Sequence, residues 1–107
     1  MTPVCLMKLL ADETRLSATV LLLSGPKCVC DLTEALGVSQ PKLSRHLAIL
    51  RDAELVTTEK KGQWVYYSLT PSLPQWTTSI IETLQAPSQE ASGIHPQYFT
   101  GESSGCC

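Results

Sequence analysis

Hydrophobic positions recur at helical spacing through the first half of the chain and again near residue 80, and a strand-like stretch lies between. A short apolar run, Val4 to Leu10, predicts a helix. Asp12 is a good N-cap for a second helix in which Leu16, Val20 and Leu23 share a face. Gly25-Pro26 stops it. The next helix opens near Cys30 and runs about two turns to Leu36, with Leu32, Ala35 and Leu36 inward and Gly37 supplying the C-terminal turn. Ser39 then caps a longer helix that carries Pro41 in its first turn, where a missing N–H costs nothing, and ends near Ala53. Leu43, Leu47 and Leu50 fall at i, i+4 and i+7 and make its buried stripe. Pro41, Ser44, Arg45, Ala48 and Asp52 are left on the other side, free to meet a partner.

After this helix the period changes. Leu55–Lys60 and Trp64–Leu69 are rich in β-branched and aromatic residues and flank Lys61-Gly62-Gln63, the pattern of a hairpin. A last helix over Leu73–Gln85 puts Trp76, Ile80 and Leu84 at i, i+4 and i+8 with Ile81 beside them, and Pro87 ends it. From Ala86 onward Pro, Ser and Gly dominate as far as Gly105-Cys106-Cys107, which predicts a flexible tail. The expected organisation is one domain over residues 1–86 and a Cys-ended tail over 87–107. Its fold class is α+β, mostly helical, in a winged helix-turn-helix arrangement.

Composition narrows this picture. The chain has 107 residues, 43% of them hydrophobic and 17% charged, which suits a single globular domain with a real core. No apolar run approaches a membrane span, and Met1 to Met7 lacks the basic flank and long apolar stretch of a secretory signal, so a cytoplasmic protein is expected. The net charge of −2 argues against a nucleic-acid partner until its distribution is considered. Residues 39–63 hold Lys42, Arg45, Arg51, Lys60 and Lys61 against Asp52, Glu54 and Glu59, a local +2, while the rest of the chain carries −4. The positive field is concentrated where the helix-turn-helix and its hairpin lie.

Two helices joined by a Gly-containing turn, Asp31–Leu36 and Ser39–Ala53, followed by a basic-tipped hairpin, make a helix-turn-helix with a wing. A second helix entering a major groove by its N-terminus would bring Ser39, Gln40, Lys42, Ser44 and Arg45 to base edges and phosphates. His46 lies nearer the core edge, within reach of a phosphate. Lys60, Lys61 and Gln63 at the hairpin tip would meet the backbone or a minor groove. For one isolated helix these charges would merely solvate a surface. Their union with a hairpin at this spacing favours double-stranded DNA.

The chain holds five cysteines. In a reducing compartment clustered thiols serve metal binding or catalysis more often than structure. Cys28 and Cys30, two apart, would point about 200° from each other inside a regular helix. With Cys28 before the helix and Cys30 in its first turn, both sulfurs can swing to one side, where the helix dipole and Lys27 favour the thiolates that bind soft ions. The competing reading is that both are small core-filling residues. Cys5, in the first helix, suits core packing as well as ligation. His46 and His95 are too isolated to form a zinc site. A thiol oxidoreductase is a poor fit, since Cys28-Val29-Cys30 is one residue short of the usual redox motif and no βαβ pattern surrounds it. A DNA-binding regulator with redox-sensing thiols remains open.

Three strings carry a family resemblance: Leu10-Ala11-Asp12-Glu13-Thr14-Arg15-Leu16, Cys28-Val29-Cys30-Asp31-Leu32, and Val38-Ser39-Gln40-Pro41-Lys42-Leu43-Ser44-Arg45-His46-Leu47-Ala48-Ile49-Leu50. In this order the chain, over about residues 5–86, resembles the ArsR/SmtB family of metal- and metalloid-responsive repressors. The third string is similar to that family's recognition helix, and the second to the inducer motif of its arsenic-sensing branch. The resemblance implies a homodimer docked through the first and last helices, and Leu6, Leu9, Ile80, Ile81 and Leu84 are the expected dimer face. It further implies operator DNA as partner and As(III) or Sb(III), as arsenite, antimonite or an organoarsenical, as inducer, with no organic cofactor. Cys28 and Cys30 would be the metal ligands, completed by Cys5 of the other subunit or by the tail pair Cys106 and Cys107. The chain departs from the family pattern at two places. Glu54 stands where a glycine is usual after the recognition helix, and Thr33 stands where arsenic sensors often carry a third cysteine.

Overall fold

A computed structural model describes residues 1–87 of the chain. The proposed tail beyond Pro87, with Cys106, Cys107 and His95, lies outside the described residues.

Local chemistry accounts for most element boundaries. Helix α1 spans Pro3–Leu10, with the Thr2 hydroxyl accepting the Cys5 N–H at 3.1 Å and Pro3 in the first turn. Helix α2 spans Glu13–Leu21, and the Asp12 carboxylate accepts the Arg15 N–H at 3.1 Å, as expected of that cap. A single 3₁₀ turn, Leu22–Ser24, tightens the end of α2 before Gly25, whose φ of 127° no side-chain-bearing residue adopts easily. Helix α3 is Val29–Leu36, closed by Gly37 in the left-handed conformation, and helix α4 is Gln40–Asp52, capped by Ser39. Strands β2 (Val56–Lys61) and β3 (Trp64–Leu69) form the hairpin in the register Lys61 opposite Trp64, so the turn is Gly62-Gln63 and Lys61 belongs to the strand. Helix α5 runs from Gln75 to Thr83, two residues shorter at each end than its apolar pattern suggests, because Pro74 supplies its first carbonyl from outside the helix.

One element has no counterpart in the sequence reading. Lys27 and Cys28 form a two-residue strand, β1, that pairs antiparallel with β3, Lys27 opposite Tyr67 and Cys28 opposite Tyr66. The sheet order is β1-β3-β2. Two residues after a proline carry no alternation to detect, and the partner strand lies far along the chain.

The helices close around one core in which Leu6, Leu21, Leu32, Leu43, Leu47, Leu50, Leu55 and Ile81 are fully buried. This packing corrects the expected dimer face. Leu6, Leu9 and Ile81 point into the protomer's own core, whereas the apolar side chains that α1 exposes are Val4 and Met7, at 63% and 48%. Ile80 and Leu84 of α5 are half-buried against the core edge. In short amphipathic helices the most apolar stripe goes to the intramolecular core, and an interface must use its flank. Glu54 has a φ of 64°, the left-handed site anticipated from the missing glycine. Its N–H donates to the Arg51 carbonyl at 2.9 Å and its own carbonyl accepts the Thr70 hydroxyl at 2.7 Å, so the turn is held despite the side chain.

Candidate functional site

Helix α4 separates cleanly into two faces. Leu43, Leu47 and Leu50 are buried, while Gln40, Lys42, Ser44 and Arg45 are exposed together along its N-terminal half. Ser39 is exposed as well, but its hydroxyl is engaged as the cap, accepting the Lys42 N–H at 3.4 Å. Lys60, Lys61 and Gln63 are exposed at the wing tip, and the Lys61 ammonium lies 5.8 Å from the centre of the Tyr66 ring, within cation–π range. A cationic helix face and a cationic ribbon tip are thus carried by one rigid unit.

His46 is placed differently from its neighbours. It turns toward the junction of α1 and α2, with Nδ1 3.2 Å from an Arg15 guanidinium nitrogen and Nε2 3.9 Å from the Asp12 carboxylate. A guanidinium can only donate, so Nδ1 accepts and the ring proton sits on Nε2, facing Asp12. The other arms of Arg15 donate to the carbonyls of Leu9 at 2.7 Å and Lys8 at 3.4 Å, the unsatisfied end of α1. Arg15 therefore ties the end of α1 to the middle of α4. Its role went unread in the sequence because an arginine in the first turn of a helix looks like any solvated charge. The Asp12 carboxyl is held below the ordinary carboxylate range, chiefly by the Arg15 backbone N–H, with burial opposing and the Arg15 charge assisting.

The sulfur-bearing region lies at the opposite flank. Cys28 is both the last residue of β1 and the N-cap of α3, its Sγ accepting the Asp31 N–H at 3.5 Å, and it is 2% exposed. Cys30 sits one turn-position into the helix and is half-buried. The extended-to-helical junction expected from the spacing is thus present. Both residues are disulfide-bonded in this structure, and Cys5 is the free cysteine among the described residues. Lys27 is 2% exposed, and burial pushes its pKa down while the Asp31 carboxylate pulls it back up. Its charge is thus compensated by Asp31.

A cleft of about 340 Å³ opens beside the cysteines, lined by Cys28, Val29, Cys30, Gln40, Trp64, Val65 and Tyr67. Three elements meet there: the start of α3, the first residue of α4, and strand β3 of the wing from its turn end. Cys5 belongs to a separate cleft with Thr2, Val4, Lys8, Leu9, Arg15 and Ile49, so within one protomer the two sites are distinct. Among the described residues no group of three His, Cys, Asp or Glu side chains is placed to hold a metal ion. Once reduced to thiolates, two sulfurs lining one apolar cleft would suit a thiophilic ligand of low coordination number.

A helix-turn-helix with a charged outer face and an attached wing defines the class: a winged helix-turn-helix protein. Its family follows from relatives. The profile described as bacterial regulatory protein, arsR family, matches residues 12–58. The chain is 44% identical over 111 residues to the arsenical resistance operon repressor of Escherichia coli, covering 98% of this chain and 95% of that one. It is 48% identical over 91 residues to the arsenic resistance transcriptional regulator ArsR1 of Pseudomonas putida, covering 84% and 71%. Among solved structures, HlyU from Vibrio cholerae superposes with a TM-score of 0.70 at 38% identity, covering 78% of this chain and 88% of that one. The chain belongs to the ArsR family of transcription regulators, which are not enzymes. Among the described residues no helix is long and apolar enough to cross a membrane.

Proposed function

We propose that this protein is a cytoplasmic repressor of metalloid-resistance genes that binds operator DNA as a homodimer and releases it when As(III) or Sb(III) is captured by cysteine thiolates. Residues 1–86 form the DNA-binding and dimerisation domain. Gln40, Lys42, Ser44 and Arg45 meet the major groove, Lys60, Lys61 and Gln63 meet the flanking backbone, and Ser39 serves through its cap. The exposed Val4 and Met7, with Ile80 and Leu84, supply the apolar surface for a second copy.

The observation that carries the reading is the position of Cys28. It caps α3 and is paired through β1 to the wing strand, while the cleft beside it reaches the first residue of the recognition helix. A ligand that draws Cys28 and Cys30 together pulls on both DNA-facing parts at once. The third sulfur that inorganic As(III) prefers comes from Cys5 of the other subunit or from Cys106 and Cys107. A coupling of about 1–3 kcal/mol between inducer and DNA gives roughly 5–150-fold loss of affinity.

The alternative is a redox-sensing regulator, in which oxidation of the same thiols moves the same elements. One titration separates the two. The fully reduced chain, bound to fluorescent operator DNA, is exposed to arsenite without oxidant, and anisotropy is followed for wild type, Cys28→Ser and Cys30→Ser. Serine is a strong N-cap, so Cys28→Ser keeps α3 intact. Wild type should release DNA and both variants should stay bound. Release by oxidant alone would favour the redox reading, and normal release of both variants by arsenite would remove Cys28 and Cys30 from the sensor.

A further inference from the structure

The cations of the recognition face are gathered between residues 39 and 63, but the fold brings one more beside them. Lys8 is exposed near the end of α1, and it shares a cleft of about 500 Å³ with the exposed Ile49 of α4. Val4 and Leu9 add apolar wall, and no Asp or Glu lines this cleft. Leu6, Leu9 and Leu10 are buried beneath α1, so core packing holds Lys8 in place.

Helix α4 has two flanks. At about 100° per residue, Lys42 and Ile49 lie on one side of the line through Arg45, and Gln40 and Ser44 lie on the other. Gln40 borders the cleft made with the wing, and Ile49 borders the cleft made with α1. The recognition helix is thus flanked by the wing on one side and by α1 on the other. A major groove is about 12 Å wide, close to the width of a helix with its side chains, so a helix that fills it meets a phosphate wall on each flank. The groove is about 8.5 Å deep, a depth that about six residues of a helix entering end-on take up at about 1.5 Å each. Gln40 to Arg45 are those residues. The next turn, with Ile49 and Lys8 beside it, stands at the rim, where the phosphates run.

We propose that Lys8 is a DNA contact: its ammonium pairs with a phosphate on the groove wall opposite the one the wing meets, and sugar carbons of that strand lie on Ile49 and Val4. The proposal rests on the reading of α4 as the operator-binding helix. A DNA strand alternates charged phosphates with sugars that present carbon, and the cleft offers an ammonium, apolar walls and no acid to repel it. Arg15 lines the cleft too, but its arms are committed to His46 and to the carbonyls of Leu9 and Lys8. Lys8 is left to meet the phosphate. Met7 lies on the far side of Val4 from Lys8 and remains for a second copy.

The test uses the full chain, kept reduced, and an operator duplex that the wild-type chain enriches from a random pool. Anisotropy follows binding over a series of salt concentrations for wild type, Lys8→Ala, Lys8→Arg and Arg45→Ala. Lys8→Ala should flatten the slope of log K against log salt by about 0.9 for each subunit, on the operator and on unrelated DNA alike. Lys8→Arg should restore the slope, whereas Arg45→Ala should lower discrimination between the two duplexes. Cys5 supplies an independent readout, because it lies in the same cleft as a free thiol. Iodoacetamide should label Cys5 in the DNA-free protein and lose access to it in the complex, as read on the Cys5 peptide by mass spectrometry. An unchanged slope in Lys8→Ala, or Cys5 labelled at the same rate with and without DNA, removes α1 from the DNA. A shift of Lys8→Ala toward monomer in sedimentation, or Cys5 already closed to the label without DNA, gives the cleft to a second copy and overturns the proposal. If the wild-type chain enriches no duplex at all, the operator-binding reading itself fails, and the flank contact falls with it.

Discussion

The recognition helix is held in two different ways along its length. At its middle, His46 is gripped by an arginine whose remaining arms close the end of α1, a clamp of directional hydrogen bonds with little freedom. At its start, Gln40 borders an apolar cleft and is exposed. Hydrogen bonds to a charged donor fix an angle, whereas a cleft with unfilled space leaves room for movement. The middle of α4 is thus anchored against the helix expected at the dimer face, and its first residue faces the cysteines. A helix pinned at one point and loose at another converts a local push into rotation.

Breaking the clamp should have the largest effect. Arg15→Ala removes three interactions and leaves the carbonyls of Leu9 and Lys8 without their partner, so thermal or urea unfolding should report a loss of about 1.5–3 kcal/mol. Operator affinity should fall with it while the slope of log K against log salt stays the same, because Arg15 touches no phosphate. A reduced slope would place Arg15 on the DNA and dissolve the contrast.

The exposed face is next. Arg45→Ala should cost about 1–3 kcal/mol in discrimination between operator and altered sites if the guanidinium reads a guanine, whereas Lys61→Ala should weaken all sequences alike and flatten the salt slope by about one unit. Competition binding at several salt concentrations checks both. Equal behaviour of the two variants would erase the distinction between helix and wing.

The end of α4 offers a smaller and opposite effect. Glu54→Gly should stabilise the fold by up to about 1 kcal/mol, since the left-handed conformation at φ 64° strains a glutamate and suits glycine, less the added freedom of glycine in the unfolded chain. Denaturant melts would show this, and a loss of stability would mean that the Glu54 side chain makes a contact worth more than the strain.

The smallest effect is a pH dependence at the clamp. Asp12 has its folded pKa lowered, so its contribution to stability is complete above the ordinary carboxylate range and is lost as pH falls through the lowered value. Stability measured from pH 6 to pH 3 should decline less steeply for Asp12→Asn than for wild type. Parallel curves would show that the carboxylate contributes nothing to holding α2 and His46.

Much of this was legible in the residues. The Asp12 and Ser39 caps, Pro41 in a first turn, Gly37 after α3 and the Leu43-Leu47-Leu50 stripe are local signals, each read within one or two turns of chain, and the helices followed them. The separation of an exposed Lys42-Ser44-Arg45 face from that stripe was equally local. Even the strain at Glu54 could be anticipated, because the conformation demanded by a turn does not depend on distant contacts.

Other features depend on residues remote in sequence, and there the pattern was silent or misled. Strand β1 exists only because β3 offers it hydrogen bonds. His46 was expected near the core edge with a phosphate in reach, but its ring is instead engaged by Arg15, thirty-one positions earlier. Leu6, Leu9 and Ile81 had the right character for an interface, yet hydrophobicity says only that a side chain leaves water, and not whether it meets its own chain or another. The sequence alone determined the five helices, the hairpin, the Asp12 and Ser39 caps and the cysteines' place at the start of α3. Tertiary structure decided which apolar and polar groups became partners, because burial and pairing are properties of surfaces that only the closed fold brings together.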